Sequence, residues 1–283
     1  MARHGRGGWL SPALCLALWA CGIRVCRAED RPLWELGLGA GAIAFADYRG
    51  ADSSHVFPLP IPYFVYRGKL FRADRDGVRG MLINNPVAEL NVSVDATTPV
   101  SSRNNSARAG MPDLKPTVEF GPSLDVHLWR SSNDRRRLDL RIPVRKAFTI
   151  ERQPQSTGWF VAPRLNLDLR DIAGHAGWDV GMLIAPLFAD RQYHDYFYSV
   201  APSYATASRP AYRAPGGYSG TELLAATSRR YRNYWVGAFV RYDSLSGAAF
   251  LASPLVRSRS YWAGGFGIAR IIGKSQRQVA GDN

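Results

Sequence analysis

Apolar and polar residues alternate along several stretches of the chain. The clearest stretch runs from Thr117 to Trp129, where Val118, Phe120 and Leu124 alternate with charged or hydroxyl side chains. The same pattern recurs over residues 89–95, 138–145 and 159–170. A period of two is typical of β-strands with one apolar and one polar face, so the sequence predicts an all-β fold.

Strand length favours a membrane barrel over a soluble β-sandwich, whose strands also alternate. The alternating stretches are about ten to thirteen residues long, close to the ~9 to 11 that a tilted strand needs to cross a bilayer. We therefore expect a transmembrane antiparallel up-and-down β-barrel. Aromatic residues near the strand ends fit its interfacial girdles, namely Trp34, Trp129, Trp159, Trp178, Tyr234, Tyr242 and Tyr261.

The pattern divides into about 12 strands, an even number typical of bacterial barrels, with 10 to 14 as the range left open. If both chain ends lie in the periplasm, connections after odd strands are long and those after even strands are tight. The third connection, residues 75–77, is short and breaks this rule. The expected strands are residues 34–45, 60–66, 69–74, 78–84, 87–96, 117–129, 137–149, 159–170, 177–188, 218–228, 233–243 and 261–272.

The first residues are typical of a secretory signal peptide. Arg3 and Arg6 precede an apolar run that begins at Trp9, and the segment ends at Ala28 before two acidic residues. Cleavage there removes all 3 cysteines, so no thiol chemistry is expected in the exported chain. The expected organisation is a signal peptide over residues 1–28, a barrel over residues 29–272 and a polar tail over residues 273–283.

The chain is basic, with 36 lysine and arginine residues against 23 aspartate and glutamate residues. The excess persists without the signal peptide, which carries arginines but no acid. Such a charge favours anionic partners, here outer-membrane lipid, lipopolysaccharide or murein. Nucleic acid is not expected, because no finger or helix-turn-helix pattern is present and the product is exported.

The polar faces of the strands carry charges of both signs, which predicts either a plug of paired charges or a wet pore. For twelve strands with long loops we expect a filled lumen, and any channel should be narrow. The expected lumen-facing charges are Glu89, Glu119, Asp125, Arg141, Arg164, Asp168 and Arg170.

Catalytic chemistry has one weak candidate in the sequence. His127, Ser123 and Asp125 share one face of a predicted strand, but residues two apart lie ~7 Å apart, and polar inward faces have this composition by default. The histidines also lack the spacing of metal ligands. We therefore expect no enzyme activity, no cofactor and no metal site.

Three long connections carry distinctive sequence motifs, which we call the loop words: residues 106–114, then 209–212 with 216–220, then 245–250 with 253–256. With Gly39-Ala40-Gly41 and residues 119–122, they resemble the MipA/OmpV family of outer-membrane proteins, also called the MltA-interacting protein family, over nearly the whole exported chain. The resemblance implies a non-catalytic barrel in the outer membrane. One departure is the last strand, which ends at Ile271-Ile272 where members of the family often have an aromatic residue.

Glycine and proline in these words allow the loops to hold one compact shape. If the first loop folds inward, Arg108 and Asp113 are expected to pair with charges of the barrel wall, as a structural constriction or lid. A binding role is the alternative. The candidate binding residues are Arg108, Gly110, Met111, Pro112, Asp113, Leu114, Arg209, Pro210 and Tyr212.

The family's namesake looks like a scaffold that joins a membrane-bound lytic transglycosylase to a murein synthase, so the resemblance implies a scaffold for murein-remodelling enzymes. A narrow channel or a surface adhesin is the alternative. Scaffolding needs periplasmic surface, whereas the predicted topology leaves only tight turns, the start of the exported chain and the basic tail (Lys274, Arg277) on that side.

Overall fold

The computed structural model describes residues 30–68, 71–74, 77–172 and 177–280. The predicted signal peptide lies outside the described residues. The strands are β1 (Asp30–Pro32), β2 (Trp34–Ala46), β3 (Ser54–Arg67), β4 (Phe71–Asp74), β5 (Gly77–Asn84), β6 (Ala88–Ala96), β7 (Thr117–Arg130), β8 (Arg136–Thr149), β9 (Ser156–Val161), β10 (Arg164–Arg170), β11 (Trp178–Ala189), β12 (Gly217–Arg230), β13 (Tyr234–Ser244), β14 (Ser260–Lys274) and β15 (Gln278–Ala280).

Strands β2 to β14 form one antiparallel sheet that closes on itself. Except for β9 and β10, each strand pairs with the next along the chain, and β14 pairs with β2 from Gly264↔Ala44 to Lys274↔Glu35. Strands β9 and β10 lie end to end between β8 and β11, so together they form one wall strand. The described wall therefore has twelve strands, as the sequence predicts.

Burial alternates along the wall and distinguishes its two faces. In β8 every second residue from Asp139 to Thr149 is buried, and this set includes Arg141 and Arg145. Large apolar side chains on the opposite face of the sheet are exposed, such as Leu38 and Phe266. A closed sheet with a polar interior and an apolar outer band is a transmembrane β-barrel.

The barrel closes tightly between β2 and β14 because glycines line the inner face there. A Cβ at Gly39 would collide with the backbone oxygen of Ile268 on β14. A Cβ at Gly41 would meet the side chain of Ile61, which reaches across from β3. These close approaches explain the Gly39-Ala40-Gly41 sequence physically.

The two ends of the barrel differ. At the short-turn end the connections are tight, and β1 pairs with β15 as a small ribbon beside them. At the long-loop end lie residues 47–53, 97–116, 150–155, 190–216 and 245–259, which include helix α1 (Arg191–Tyr198) and two short 3₁₀-helices. Within the described residues, no helix has both the length and the apolar character needed to cross a membrane.

Three features differ from the sequence expectation. Strand β3 begins at Ser54 rather than at residue 60, so the first connection is only residues 47–53. Strand β14 continues past Ile272 to Lys274, and residues 278–280 of the expected tail pair with β1. Tyr261 belongs to the interior rather than to the girdle, because its hydroxyl accepts a hydrogen bond from Arg241; the exposed ring at that level is its neighbour Trp262.

Candidate functional sites: the cap, the interior and the short-turn face

Four of the long loops pack together into what we call the cap, residues 47–53, 97–116, 190–216 and 245–259. Its centre is apolar, with the rings of Tyr198 and Phe250 stacked and their centroids 3.6 Å apart. Hydrogen bonds join the loops: Tyr48 donates to the carbonyl of Leu255 at 2.8 Å, and Ser253 donates to the carbonyl of Tyr198 at 2.6 Å. The cap therefore has a core of its own.

Two buried arginines hold the cap together through backbone carbonyls. Arg209 donates from Nη1 to the carbonyls of Ala107 and Ala109, at 3.1 and 2.8 Å, and from Nη2 to that of Tyr204 at 2.8 Å. Arg108 donates to the carbonyls of Phe197 and Pro112, each at 3.2 Å. Burial lowers the pKa of Arg108 from its usual value.

These contacts correct one expectation. Asp113 accepts a hydrogen bond from the backbone nitrogen of Ser102 at 2.7 Å. In the described part of the chain, the hydrogen-bond partners of Arg108 and Asp113 are thus groups within the cap and not charges of the barrel wall, because loop carbonyls lie within reach of both terminal nitrogens of Arg108.

The other candidate loop residues lie in the same place. Leu114 is buried and bridges to Val100, and Tyr212 pairs with Val200. Met111 is half-buried against the apolar cluster around Leu255. By contrast Gly110, Pro112, Asp113 and Pro210 are exposed.

One polar pair in the cap was not anticipated from the sequence. His194 on α1 is fully buried, with Nδ1 2.6 Å from the carbonyl of Pro215 and Nε2 2.7 Å from the hydroxyl of Ser219 on β12. Burial lowers the pKa of His194. His194 and Ser219 are 25 residues apart and lie in a helix and a strand, so no local sequence pattern predicts their contact.

The interior of the barrel holds a network of paired charges. Arg145 lies 3.3 Å from Glu119 and 3.3 Å from Asp95, and Glu119 also accepts a hydrogen bond from Tyr193 of the cap at 2.7 Å. Arg141 lies 3.6 Å from Asp125. Buried charges such as Arg145, Glu119 and Arg141 need partners, so the network occupies the interior along β7 and β8.

The remaining predicted interior charges lie on the same face. Asn91 donates to Glu89 at 2.8 Å and to Asp125 at 3.2 Å, and Glu89 is buried. Asp168 is buried, while Arg164 and Arg170 are half-buried on the same strand. The opposite wall has a second cluster that the sequence did not single out, in which Asp243 lies 2.8 Å from Arg241 and 3.1 Å from Arg49.

The three residues considered for catalysis do not form a hydrolase arrangement. His127 lies 2.9 Å from Asp139, whereas Ser123 donates to Asp125 at 2.7 Å. Each polar group is therefore satisfied by a different partner. Among the described residues, no group of three or more His, Cys, Asp or Glu side chains is placed to hold a metal ion.

The short-turn end presents a basic surface. Three acidic residues described at this end, Asp134, Asp171 and Asp179, are half-buried, and Asp134 and Asp171 lie 3.6 and 3.7 Å from Arg130 and Arg135. We call this surface the basic face. Its exposed cationic residues are Arg130, Arg135, Arg136, Arg230, Arg232, Lys274 and Arg277.

A family model for the MltA-interacting protein MipA matches residues 38–272, which cover the barrel from β2 to β14. The chain belongs to the MipA family. This confirms the resemblance found in the loop words. The MipA family is named for an interaction and not for a reaction, and the closed wall with an apolar outer band makes this member an outer-membrane β-barrel protein.

Solved structures show more distant likenesses to this MipA-family chain. The outer membrane phospholipase A from Escherichia coli is 13% identical, with a TM-score of 0.31 over 84% of this chain and 93% of that chain. The monoaromatic hydrocarbon channel CymD is 10% identical, with a TM-score of 0.24 over 88% and 68%. The toluene transporter TbuX of Ralstonia pickettii is 9% identical, with a TM-score of 0.24 over 87% and 71%. These likenesses are too distant to bear on function, and a comparison with curated proteins finds no match.

Proposed function

We propose that this barrel is a non-catalytic scaffold that docks murein-remodelling enzymes, a lytic transglycosylase and a murein synthase, at the inner surface of the outer membrane. In this proposal the chain is exported, loses residues 1–28 and is oriented with its short-turn end in the periplasm. The observation that carries it is the basic face, where exposed arginines and lysines outnumber the half-buried acids among the described residues. The family's name, MltA-interacting protein, supports a murein-remodelling enzyme as the class of partner.

The other end of the barrel is less suited to docking an enzyme. The loops of the cap satisfy one another through buried arginines and a common apolar core. The interior behind the cap holds paired, buried charges, which argues against an open channel. The short-turn end therefore offers an exposed surface with an excess of positive charge.

The basic face fits an acidic partner surface or the carboxylates of murein itself. Complementary charge at a rim mainly accelerates association and is weakened by salt. The ribbon of β1 and β15 lies at the same end, with exposed Arg277 just before β15. In this proposal the few elements on the periplasmic side are enough for a scaffold, because the short turns and the ribbon of β1 and β15 act as one surface.

We propose outer-membrane lipid and lipopolysaccharide as further partners, at the wall near the long-loop end. Lys146 lies 5.5 Å from the ring centroid of Phe148 and 5.6 Å from that of Trp159. Beside it is an apolar groove of about 380 Å³ lined by Val118, Phe120, Phe148, Thr149, Ile150, Glu151 and Pro154. A cation among girdle aromatics suits the phosphate of a lipid headgroup above its acyl chains.

The scaffold proposal is tested with purified partners. The detergent-solubilised barrel is immobilised, and association of a purified lytic transglycosylase is followed with time at two salt concentrations. Replacing Arg136, Arg232, Lys274 and Arg277 by Gln should slow association by about tenfold or more and remove most of its salt dependence.

A charge-matched control keeps the result specific. Replacing Arg103, Lys115, Arg213 and Arg257 by Gln removes the same number of exposed charges from the long-loop end. This variant should bind like the parent chain. Equal loss in both variants, or no binding by the parent, would remove the proposed docking surface.

A further inference from the structure

Among the described residues, strand β3 is paired on one side only along the half nearer the long loops. It pairs with β2 over its whole length, from Trp34↔Tyr66 to Ala46↔Ser54, but its recorded pairs with β4 are Tyr66↔Ala73 and Arg67↔Arg72 alone. The reason is the short hairpin of β4 and β5, whose strands have 4 and 8 residues. On the far side, the recorded pairs of β6 with β5 end at Val92. We call the resulting gap between residues 56–64 of β3 and residues 94–96 of β6 the notch.

Three prolines mark the edge of β3 that faces the notch. The backbone nitrogen of Arg67 donates to the carbonyl of Leu33, so the odd-numbered residues of β3 point their hydrogen-bonding groups at β2. Pro58, Pro60 and Pro62 are even-numbered, and their backbone positions point into the notch. Proline has no N–H, so at these three positions the edge carries no donor that would need a partner in hydrocarbon.

The inner face of the wall is uncovered beside the notch. Phe57 and Leu59 point inward, yet they are 38% and 45% exposed, and β3 is exposed on both faces from Val56 to Pro60. The strand β8, on a complete part of the wall, buries every second residue instead. The interior beside the notch is therefore accessible, in contrast to the packed charges elsewhere.

The β3 side of this accessible interior is apolar, whereas the β6 side carries Asp95, which is 59% exposed and lies 3.3 Å from Arg145. The rings of Phe45 and Phe57 stack with centroids 5.1 Å apart. Further along the same face of β3, Ile61 lies over the glycine-lined junction of β2 and β14. On the outer face at the same level, Leu38 and Val56 are exposed, as expected for side chains in contact with lipid. The notch thus connects an apolar exterior with the apolar inner face of β3.

We propose that the notch is a lateral opening through which an acyl chain of a membrane lipid enters the barrel and lies against Phe57, Leu59 and Ile61. Apolar side chains on both faces of β3, together with prolines that place no N–H at residues 58, 60 and 62, suit a hydrocarbon chain. The site goes beyond the scaffold role and does not depend on it. The notch lies in the half of the barrel nearer the long loops, whereas the basic face lies at the short-turn end.

Single-cysteine variants test the proposal in the full chain, with Cys15, Cys21 and Cys26 replaced by serine. Leu59→Cys is labelled with bimane and reconstituted into phosphatidylcholine vesicles, and heat-dependent gel mobility verifies folding. Quenching is measured with a nitroxide attached to the lipid acyl chain and separately with aqueous iodide. Leu38→Cys on the outer face and Ala185→Cys on the inner face of the complete wall are the two references.

The expected result is a loss of bimane fluorescence at Leu59→Cys with the lipid nitroxide that matches the loss at Leu38→Cys and exceeds that at Ala185→Cys. Phe57→Cys should behave in the same way and serves if Leu59→Cys fails to fold. Quenching at both positions by iodide alone would indicate a water-filled opening and would overturn the proposal. Quenching by neither agent would show a closed wall and would overturn it as well.

Discussion

The imidazole of His194 links helix α1 to the barrel wall, with Nε2 2.7 Å from the hydroxyl of Ser219. Because Nδ1 lies 2.6 Å from a carbonyl, which can only accept, the proton of the neutral ring is assigned to Nδ1 and Nε2 accepts from the serine. Phe250 packs edge-on against the same ring, with centroids 4.7 Å apart. One residue thus joins helix α1, strand β12 of the wall and the loop of residues 245–259.

Acid should open the cap. Burial lowers the pKa of His194, so the opened state takes up a proton at higher pH than the closed state, although nearby Asp190 and Asp195 partly oppose this. Stability is complete above the ordinary histidine pKa of ~6.5 and falls as the pH drops toward the lowered pKa, by at most about 1.4 kcal/mol per pH unit. The rate of proteolysis within residues 190–216 should rise accordingly between pH 7 and pH 5.

A matched variant isolates this histidine. His194→Gln keeps an amide donor for Pro215 and an acceptor for Ser219 but does not titrate. Its proteolysis rate should vary less with pH than that of the parent chain. If both chains respond to acid equally, another group controls the opening.

Arg209 should be essential for the cap. Arg209→Met leaves the carbonyls of Ala107, Ala109 and Tyr204 without this donor, at a cost of about 1–3 kcal/mol in cap stability. Limited proteolysis with mass spectrometry should show faster cleavage within residues 97–116. Arg213→Met, at an exposed arginine of the same loop, should leave the cleavage rate unchanged.

The interior pair of Glu119 and Arg145 should be strongly coupled. Arg145→Met leaves Glu119 buried without its cation and is expected to destabilise the barrel by about 3–5 kcal/mol. The double variant Arg145→Met with Glu119→Gln removes the uncompensated charge, so its loss should be smaller than the sum of the two single losses. Urea unfolding in detergent, followed by tryptophan fluorescence, measures the four free energies, and strict additivity would contradict the pairing.

Replacing a proline at the edge of β3 by alanine should destabilise the barrel, which is the opposite of the usual effect within a strand. Pro60→Ala introduces an N–H that points into the notch, where the structure records no strand partner for residue 60. The variant should be less stable by about 1–3 kcal/mol, although alanine is normally better tolerated than proline within a strand. Val56→Ala, on the same outward face, adds no donor and should cost less. Unfolding in phospholipid bicelles provides the comparison.

Strands β7 and β8 could be predicted from the sequence, whereas the first half of β3 could not. The alternation in β7 and β8 predicts both strands because each apolar side chain faces lipid and each polar one faces the interior. The alternation pattern places residues 54–59 in the first connection, before the strand expected at residue 60. They form a strand because the neighbouring hairpin is short, and this depends on residues that are distant in sequence.

The sequence by itself determined the barrel, its twelve wall strands, its inward charges and the loops that carry the family's words, because strand periodicity and turn residues act locally. Only the tertiary structure decided that Arg209 would reach the carbonyl of Ala107, that His194 would meet Ser219, and that β3 would border an opening. Those contacts join residues 25 to 102 positions apart, and they form where closure of the sheet brings the loops together.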